Sequence, residues 1–298
     1  MYNPTKPYTE SLLKLVKSTW PKGYAPCGST DGIGTKGIYH WQRGTFVSAT
    51  LDALAMNLND LAVMRVKPTT LHDHILIPEE DEKAILEIMT TLASECKKRN
   101  IIINSGETAI HNDLSGLEIS ITITGEKGNV KPNRFYFGDY LVGIKSSGLH
   151  CNGFTKVREI FGNEFRQEFV EPTLIYSDAI FQLINKFDDI GGMVHVTGGA
   201  YTKLKKLLVN TDAVITKHSL KPHEIFYELY KRGILDKEMY RTFNCGIGFI
   251  LGVSEKNVEE IISILKKKDL ESCVIGKIVS GTRKVRIESM FGEGEVIF

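Results

Sequence analysis

The feature that constrains the fold most is a series of glycine turns that each carry an acid, an amide or a histidine, of which Ser29–Lys36 is the first. Gly32 and Gly34 allow close approach of backbone amides, which can converge on an anion. Lys36 adds a positive charge suited to a phosphate oxygen, whereas Asp31 favours phosphate only when a divalent cation bridges the two. The segment therefore indicates a Mg-nucleotide site. It lacks the spacing of a Walker A loop, and an ordinary glycine turn remains the alternative reading.

The overall charge gives the chain no general affinity for polyanions. Lys and Arg total 37 against 36 Asp and Glu, a net charge of +1 that attracts neither nucleic acid nor anionic membranes. No apolar run reaches the roughly 18 residues of a membrane-spanning helix, and the polar start lacks the apolar core of a secretory signal. The 5 cysteines are scattered without Cys-x-x-Cys spacing, which favours reduced thiols over a structural zinc site. We expect a soluble, cytoplasmic protein that binds no nucleic acid and no membrane.

Hydrophobic periodicity predicts interleaved strands and helices. Helical periodicity covers 51–66 and 81–99. Strand patterns in the N-terminal half cover 45–50, 69–77, 101–104 and 117–124. Many strands alternate in polarity, which is typical of antiparallel sheets and favours an α+β fold over a doubly wound parallel sheet. A boundary near Gly138 predicts two domains, 1–138 and 139–298.

Two acids lie where they could join Asp31. Asp60, next to Asn59, lies off the apolar stripe of its predicted helix, and a solvated position is the alternative for such a residue. Glu107 lies in a predicted glycine turn, 105–109, at the end of a strand, where binding groups concentrate. Hard oxygen donors at separate positions suit Mg²⁺ if the fold brings them together.

A His pair lies in the predicted strand 69–77. His72 and His74 share one face and Asp73 lies on the other. Two histidines on one face could bind a metal, but no third ligand is evident. The pattern therefore favours a structural role.

The C-terminal half repeats the arrangement of strand, small-residue turn and helix. The loop Ser146–Phe154 precedes a predicted helix and forms a second anion-binding arrangement. His195 lies before the turn Thr197–Ala200 and is a candidate acid or base, with a core histidine as the alternative. Asn244 lies in a glycine-containing strand and could line a pocket or pack against a neighbour. The lysines that follow the His195 turn are predicted to be solvated: Lys203, Lys205 and Lys206.

In this order, the turns resemble one family, the aminoimidazole ribonucleotide synthetase superfamily. The matching segments are Asp31–Lys36, Asn59–Leu61, Gly106–Ala109, Ser146–Gly153, Glu171–Tyr176, His195–Gly199 and Phe243–Gly248. They span nearly the whole chain, and the set is specific although each piece is short. The C-terminal segments are most similar to the members that close the ring of formylglycinamidine ribonucleotide.

The resemblance implies a PurM-like α+β fold. An N-terminal half-barrel sheet with helices would bind ATP and pair with a second copy, and an α/β sandwich-like domain would follow. The predicted strands 45–50, 69–77, 101–104 and 117–124 would supply the half-barrel. The implied partners are a small phosphoribosyl amidine substrate and a second copy of the chain.

The resemblance also implies a reaction and roles for single residues. ATP would phosphorylate the amide oxygen to an iminophosphate, and phosphate would leave as the amidine nitrogen attacks, giving aminoimidazole ribonucleotide, ADP and phosphate. Lys36 and His195 would be catalytic, and Asp31, Asp60 and Glu107 would hold Mg²⁺. The ATP-binding residues would be Asp31, Gly32, Gly34, Thr35, Lys36, Asn59, Gly106, Glu107 and Thr108. The substrate-binding residues would be Ser146, Ser147, Gly148, His150, Asn152, Gly198, Gly199 and Asn244.

Departures from the family pattern leave alternatives open. The relatives' glycine-rich N-terminal segment is not found in this sequence, and Ser105 and Ala200 stand where relatives have glycine. A small-molecule kinase or synthetase of the same superfamily, or a non-catalytic nucleotide-binding paralogue, would carry the same core motifs.

Overall fold

The computed structural model describes residues 9–128 and 131–298, which build two β-sheets with helices packed on them. The strands are β1 (Gly28–Gly32), β2 (Val66–Ile77), β3 (Ile102–Ile110), β4 (Glu118–Lys127), β5 (Tyr140–Lys145), β6 (Met193–His195), β7 (Thr211–Ile215), β8 (Ile247–Val253), β9 (Ser272–Ser280), β10 (Val285–Glu288) and β11 (Glu295–Ile297). The helices are α1 (Thr9–Ser18), α2 (Gly37–Arg43), α3 (Phe46–Val63), α4 (Glu82–Arg99), α5 (Phe154–Phe161), α6 (Ser177–Lys186), α7 (Glu224–Lys231), α8 (Asp236–Thr242) and α9 (Val258–Lys266).

The first sheet is four-stranded, in the order β1-β4-β2-β3. Strand β4 runs antiparallel to β1 and β2, whereas β3 pairs parallel to β2. Helices α3 and α4 cover one face, where apolar side chains of the sheet, α3 and α4 form one core. The other face is polar, with Thr30 and Thr122 joined by a hydrogen bond of 3.0 Å. Register shifts in β2 bend the sheet, as bulges do.

Two predicted segments of this half were wrong. Residues 45–50, predicted as a strand, begin helix α3, because Phe46, Ala49 and Ala53 bury one helical face. The strand that completes the sheet is β1, which contains the start of the glycine motif. Residues 105–109 are not a turn: they continue β3, and their backbone pairs with β2 as far as Ile110.

The second sheet is seven-stranded, in the order β11-β10-β7-β9-β5-β8-β6, and only β10 and β7 pair in parallel. Strand β8 is buried throughout, because its side chains alternate between two cores. Ile247 and Ile250 belong to the core of α5, α7 and α8, whereas Phe249 and Leu251 belong to that of α6 and α9. Helices therefore cover both faces of this sheet, and the layout confirms the α+β class and the PurM-like fold.

Helix α3 joins the two halves. It contacts α6 and β6 as well as the first sheet. The Asn59 side chain accepts hydrogen bonds from the backbone amides of Tyr176 (2.7 Å) and Ser177 (3.1 Å) at the start of α6, and donates to Leu174 O (2.9 Å). The buried Asn59 side chain thus accepts from backbone amides at the start of α6, which have no hydrogen-bond partner within the helix.

Two negative findings hold for residues 9–128 and 131–298. No helix there is long and apolar enough to cross a membrane. The cysteines are all free thiols, and none joins a group of three or more potential metal ligands.

Candidate active site

Asp31, Asp60 and His195 come together where the two sheets meet. Asp31 is near the end of β1, and its backbone carbonyl accepts a hydrogen bond of 3.1 Å from Asn57 Nδ2 of α3. Asp60 follows Asn57 by nearly one helical turn. His195 ends β6, and its Nδ1 lies 3.0 Å from Asp60 Oδ1. Three separate segments therefore converge, and the two aspartates lie together as their predicted role requires.

The two carboxylates differ in their electrostatic surroundings. Desolvation by the surrounding protein raises the pKa of Asp31; a hydrogen bond from the Gly32 amide opposes the rise, and the charge of Asp60 adds to it. Desolvation also opposes ionisation of Asp60, but the hydrogen bond from His195 and the nearby charge of Lys203 outweigh it and lower the pKa of Asp60. The pair thus brings two negative charges into one place, which a cation would stabilise.

His195 has both ring nitrogens engaged. The low pKa of Asp60 makes its carboxylate the acceptor, so His195 Nδ1 carries the proton. Nε2 then accepts from Asn59 Nδ2 at 3.4 Å. The side chain is 1% exposed, and burial lowers the pKa of His195 despite the Asp60 contact. This geometry supports a role in positioning Asp60 rather than the predicted role as an acid or base acting on substrate.

Lys36 lies away from the aspartate pair. Its side chain is 0% exposed, with Nζ 2.7 Å from Asp52 Oδ2 and 2.5 Å from Glu171 O. Asp52 Oδ1 accepts from the amide and hydroxyl of Thr173 (2.7 and 2.6 Å), and His40 Nε2 lies 2.8 Å from Oδ2. Lys36 therefore links α3 to the segment 171–176, and the geometry does not support the predicted phosphate contact.

The other residues of the first glycine motif follow β1 closely. Gly32 ends the strand, and Gly34 and Thr35 lie in a 3-10 turn that leads into α2. Gly34 has a φ of 56°, where glycine is favoured, and a Cβ there would meet no atom within 4 Å. Gly32 and Gly34 thus stay beside Asp31, where they were predicted to approach a nucleotide.

The structure does not bring Glu107 to the two aspartates within one chain. Across the sheet, Asp31 pairs with Ile121, Ile121 with Asp73, and Asp73 with Gly106. Glu107 follows Gly106 and points to the opposite face. Strands β4 and β2 lie between β1 and β3, so three strand spacings separate β1 from β3 by about 14 Å. The described residues hold no group of three or more potential metal ligands, so the predicted three-acid Mg²⁺ site is not assembled in this chain.

Glu107 instead borders a shallow groove of about 270 Å³. Gly106, Thr108 and the largely buried Asp73 also line it. Burial raises the pKa of Asp73, and its Oδ2 has no hydrogen-bond partner among the described residues. A Cβ on Gly106 would lie 2.4 Å from that carboxylate, so a larger residue at this position would displace the Asp73 side chain. Of the histidine pair, His72 Nδ1 lies 2.7 Å from Ser105 Oγ, which agrees with a structural role.

Four of the eight predicted substrate-binding residues form hydrogen bonds that hold the turn before α5. Asn244 Oδ1 accepts from Ser146 Oγ (3.0 Å), and Asn244 Nδ2 donates to Gly148 O (2.8 Å). Ser147 Oγ donates to Pro172 O at 2.6 Å. These contacts fix the turn that precedes α5 and leave Asn244 no spare polar atom for a pocket.

Two buried nitrogens in the same loop have no partner among the described residues. They are His150 Nδ1 and Asn152 Nδ2. His150 is buried, and burial holds its pKa well below the ordinary value. Neutral imidazole and amide groups of this kind can bind a polar ligand.

The turn after His195 directs a lysine into the site. Gly198 and Gly199 follow Thr197, and Gly199 has a φ of 81°. Lys203 lies in the 3-10 helix Ala200–Leu207 that begins there, and its Nζ donates to Thr197 Oγ1 and to His195 O (3.2 Å). The prediction that Lys203 lies in solvent was wrong, since its side chain is partly buried, whereas Lys205 and Lys206 are exposed as predicted. The three lysines carry no signal in the sequence that separates them.

The Asp31–Asp60 pair is the part of the site that fits a divalent cation. Mg²⁺ is commonly held by one or two carboxylates together with phosphate oxygens, so the absence of a third protein ligand does not conflict with it. Burial and the nearby charge of Asp60 raise the pKa of Asp31. A bound cation would counter both effects by stabilising the Asp31 carboxylate.

Comparison with known proteins assigns the family. AIR synthase related protein, N-terminal domain, matches residues 15–126, and AIR synthase related protein, C-terminal domain, matches residues 137–288. A curated relative named phosphoribosylformylglycinamidine cyclo-ligase from Saccharolobus solfataricus is 35% identical over 240 residues, covering 78% of this chain and 72% of the relative. One of the same name from Clostridium perfringens is 33% identical over 290 residues, covering 90% and 86%.

Solved structures are similar in fold. The hydrogenase maturation protein HypE of E. coli superposes with a TM-score of 0.68 at 17% identity, covering 96% of this chain and 88% of that one. T. maritima PurL complexed with AMPPCP gives a TM-score of 0.58 at 13% identity, covering 88% of this chain and 41% of that one. At these identities the structures support the fold alone, whereas the domain matches and curated relatives show that the chain belongs to the AIR synthase related protein family.

Proposed function

We propose that this chain catalyses the ATP-dependent ring closure of formylglycinamidine ribonucleotide to aminoimidazole ribonucleotide, a step of purine biosynthesis. The observation that carries the proposal is the match to curated cyclo-ligases over 72% and 86% of their lengths. The convergence of Asp31 and Asp60 at the sheet junction supports it, since phosphoryl transfer needs charge neutralisation at one defined place.

The reaction requires an oxygen to leave a formamide carbon, and hydroxide is a poor leaving group. Transfer of the γ-phosphoryl group of ATP to the formamide oxygen converts that oxygen into part of a phosphate leaving group, with ADP as the first product. The amidine nitrogen then attacks the formyl carbon and loses a proton, and the C–O bond breaks to release phosphate. The protein must align ATP with the amide oxygen and stabilise charge on the moving phosphoryl group.

Asp31 and Asp60 are the residues proposed to hold Mg²⁺. A bound Mg²⁺ would neutralise negative charge on the nucleotide phosphates. His195 keeps Asp60 ionised and fixes its orientation through the 3.0 Å contact, and Asn59 fixes the tautomer of His195. Hydrogen bonds to a metal-binding side chain commonly affect metal affinity and activity, because they set the orientation of that side chain.

For ATP binding, support comes from the fold. A structural neighbour, T. maritima PurL, carries AMPPCP in its solved structure. We propose that the turn at Gly32–Thr35 contributes amides to the nucleotide, and that His150 and Asn152 bind polar groups of the amidine substrate, since both keep an unpartnered nitrogen.

We propose that the enzyme works as a cytoplasmic homodimer. The first sheet has a polar face that carries Thr30 and His74, and β3 is an exposed edge strand with Ile102 at 66% exposure. An exposed edge of this kind can be covered by a second copy. Light scattering at micromolar concentration should give twice the chain mass of 33.4 kDa, and a monomer would contradict the proposal.

An assay that measures all the reaction products tests the proposed reaction. Purified protein with formylglycinamidine ribonucleotide, ATP and Mg²⁺ should release ADP and phosphate in equal amounts and form the imidazole ring. Phosphate retained on the organic product would instead indicate a kinase of the same superfamily. Nucleotide binding by calorimetry without turnover would indicate a non-catalytic paralogue.

A further inference from the structure

The role predicted for Lys36 requires a free ammonium group, and the Lys36 ammonium is not free. It is fully buried and forms an ion pair of 2.7 Å with Asp52. A phosphate could recruit it only by leaving the Asp52 carboxylate buried without its partner, which is strongly unfavourable. If a lysine binds phosphate beside Asp31 and Asp60, another residue must supply it.

Lys203 has the position that this role requires. The left-handed backbone at Gly199 (φ 81°) and Ala200 (φ 38°) turns the chain back, so that the Lys203 ammonium reaches the end of β6. There it donates to a carbonyl and a hydroxyl, His195 O and Thr197 Oγ1. His195 itself contacts Asp60, so a single residue, His195, connects Lys203 to the aspartate pair in space.

The partners of Lys203 leave both its charge and one donor available. An ammonium group has three donors, and the contacts with His195 and Thr197 use two. Among the described residues no carboxylate lies within ion-pair distance of Lys203, in contrast to Lys36. Burial lowers the pKa of Lys203, whereas the nearby charges of Asp60 and Asp31 favour its ammonium form. A partly buried cation with neutral partners is stabilised by an anionic ligand.

We propose that Lys203 binds a phosphate oxygen beside Asp31 and Asp60, the role that the glycine motif suggested for Lys36. This inference rests on the proposed function, which brings phosphate groups to the site. Lys203 also offsets the negative charge of the two aspartates, which would otherwise repel an approaching phosphate. Two sources supply the same chemistry, the polyphosphate of ATP and the 5-phosphate of the ribonucleotide substrate.

Calorimetric titration with two probes tests the contact and separates the sources. AMPPCP with Mg²⁺ presents a polyphosphate, and ribose 5-phosphate presents the sugar phosphate. Lys203→Met keeps the aliphatic stem but removes the charge, so it should weaken one probe about 10- to 100-fold, the range for a hydrogen bond to a charged group. Lys203→Arg should retain most of the affinity because it keeps a cationic donor.

Loss confined to AMPPCP assigns the contact to the nucleotide, and loss confined to ribose 5-phosphate assigns it to the substrate. Lys205→Met, a charge removal on the exposed side of the same 3-10 helix, is the matched control and should bind both probes as wild type does. Lys203→Gln, which can still donate to Thr197, provides a second neutral variant if Lys203→Met folds poorly.

Wild-type affinity of Lys203→Met for both probes overturns the inference, and so does an equal loss in Lys205→Met. Adenosine, which lacks phosphate, gives the readout for a purely structural role: an equal loss of adenosine affinity in Lys203→Met also overturns it. Turnover by the wild type tests the proposed function separately. A turnover-competent enzyme whose Lys203→Met variant binds both probes normally refutes the Lys203 contact alone.

Discussion

Replacing Lys36 should primarily destabilise the fold. Lys36→Met removes the ammonium group, which lies 5.6 Å from the centre of the Phe154 ring, but keeps most of the aliphatic stem. Its partner Asp52 is 0% exposed and would remain buried with a negative charge. We therefore expect the variant to lose free energy of unfolding before any effect on a ligand is considered.

The magnitude follows from the surroundings of Asp52. Removing one partner of a buried ion pair typically costs about 3–5 kcal/mol, because the remaining charge stays in a medium of low polarity. Donors from Thr173 and His40 remain on the Asp52 carboxylate, so we expect a loss near the lower end of that range, about 3 kcal/mol. The double variant Lys36→Met with Asp52→Asn should recover part of the loss, because it carries no unpaired charge.

Denaturant unfolding followed by circular dichroism measures this difference. The exposed Lys205→Met is the control and should stay within about 0.5 kcal/mol of wild type. A loss below about 1 kcal/mol for Lys36→Met, with Asp52 still in place, would refute the reasoning, since it would mean that Asp52 reaches water or another cation without rearrangement.

The pH dependence gives an independent check with a definite sign. In the wild type, burial opposes ionisation of Asp52, but the charge of Lys36 and the hydrogen bond of His40 hold its pKa well below the ordinary 3.8. That contribution is present above pH 3.8 and is lost as the pH falls through the folded-state pKa. In Lys36→Met, burial should raise the pKa of Asp52, so the cost is largest at neutral pH and shrinks on acidification. A difference between wild type and variant that grows below pH 5 would contradict this.

Two further substitutions separate the site from the scaffold. Asp60→Asn should lower the rate of ATP turnover at least about 100-fold, because the amide carries no charge for a cation. The melting temperature should stay unchanged, because the amide oxygen still accepts from His195. Near-normal turnover would show that Asp60 is not part of the site. Gly37→Ala should cost about 1–3 kcal/mol in denaturant unfolding, because its Cβ would lie 1.8 Å from Leu117 O. Gly128→Ala, with no atom within 4 Å, is the control, and equal stability of the two variants would contradict the packing argument.

Long periodic elements of the fold could be predicted from the sequence, whereas short ambiguous ones could not. Helix 81–99 was predicted nearly to the residue, because Asp81 caps it (Ala84 N to Asp81 Oδ1, 2.9 Å) and Asn100 ends it with a φ of 56°. The segment 45–50 was misassigned, since its β-prone residues suit a strand and the burial that decides for a helix is tertiary. Strand β3 was cut short at 104, because Gly106 suggests a turn when its neighbour Asp73 is unknown.

The candidate site was predicted in part for the same reason. Short motifs and the family resemblance they carry singled out Asp31, Asp60 and His195, which the fold brings together. The motifs could not show that Glu107 lies on the opposite face of the sheet from Asp31, since the register of three strand pairings decides that. The functional meaning of a polar residue depends on which face its strand presents.

The two lysines show how charge pairing decides what a motif residue can do. Lys36 has the motif position of a phosphate ligand, but Asp52 already neutralises it, so a phosphate would have to compete with a carboxylate at 2.7 Å in a buried place. Lys203 has no motif, yet its ammonium is held by neutral oxygens and acted on by two carboxylates that need a counter-charge. The cation that a ligand can recruit is the one whose present partners cost least to lose, and by that criterion phosphate binding at this site falls to Lys203.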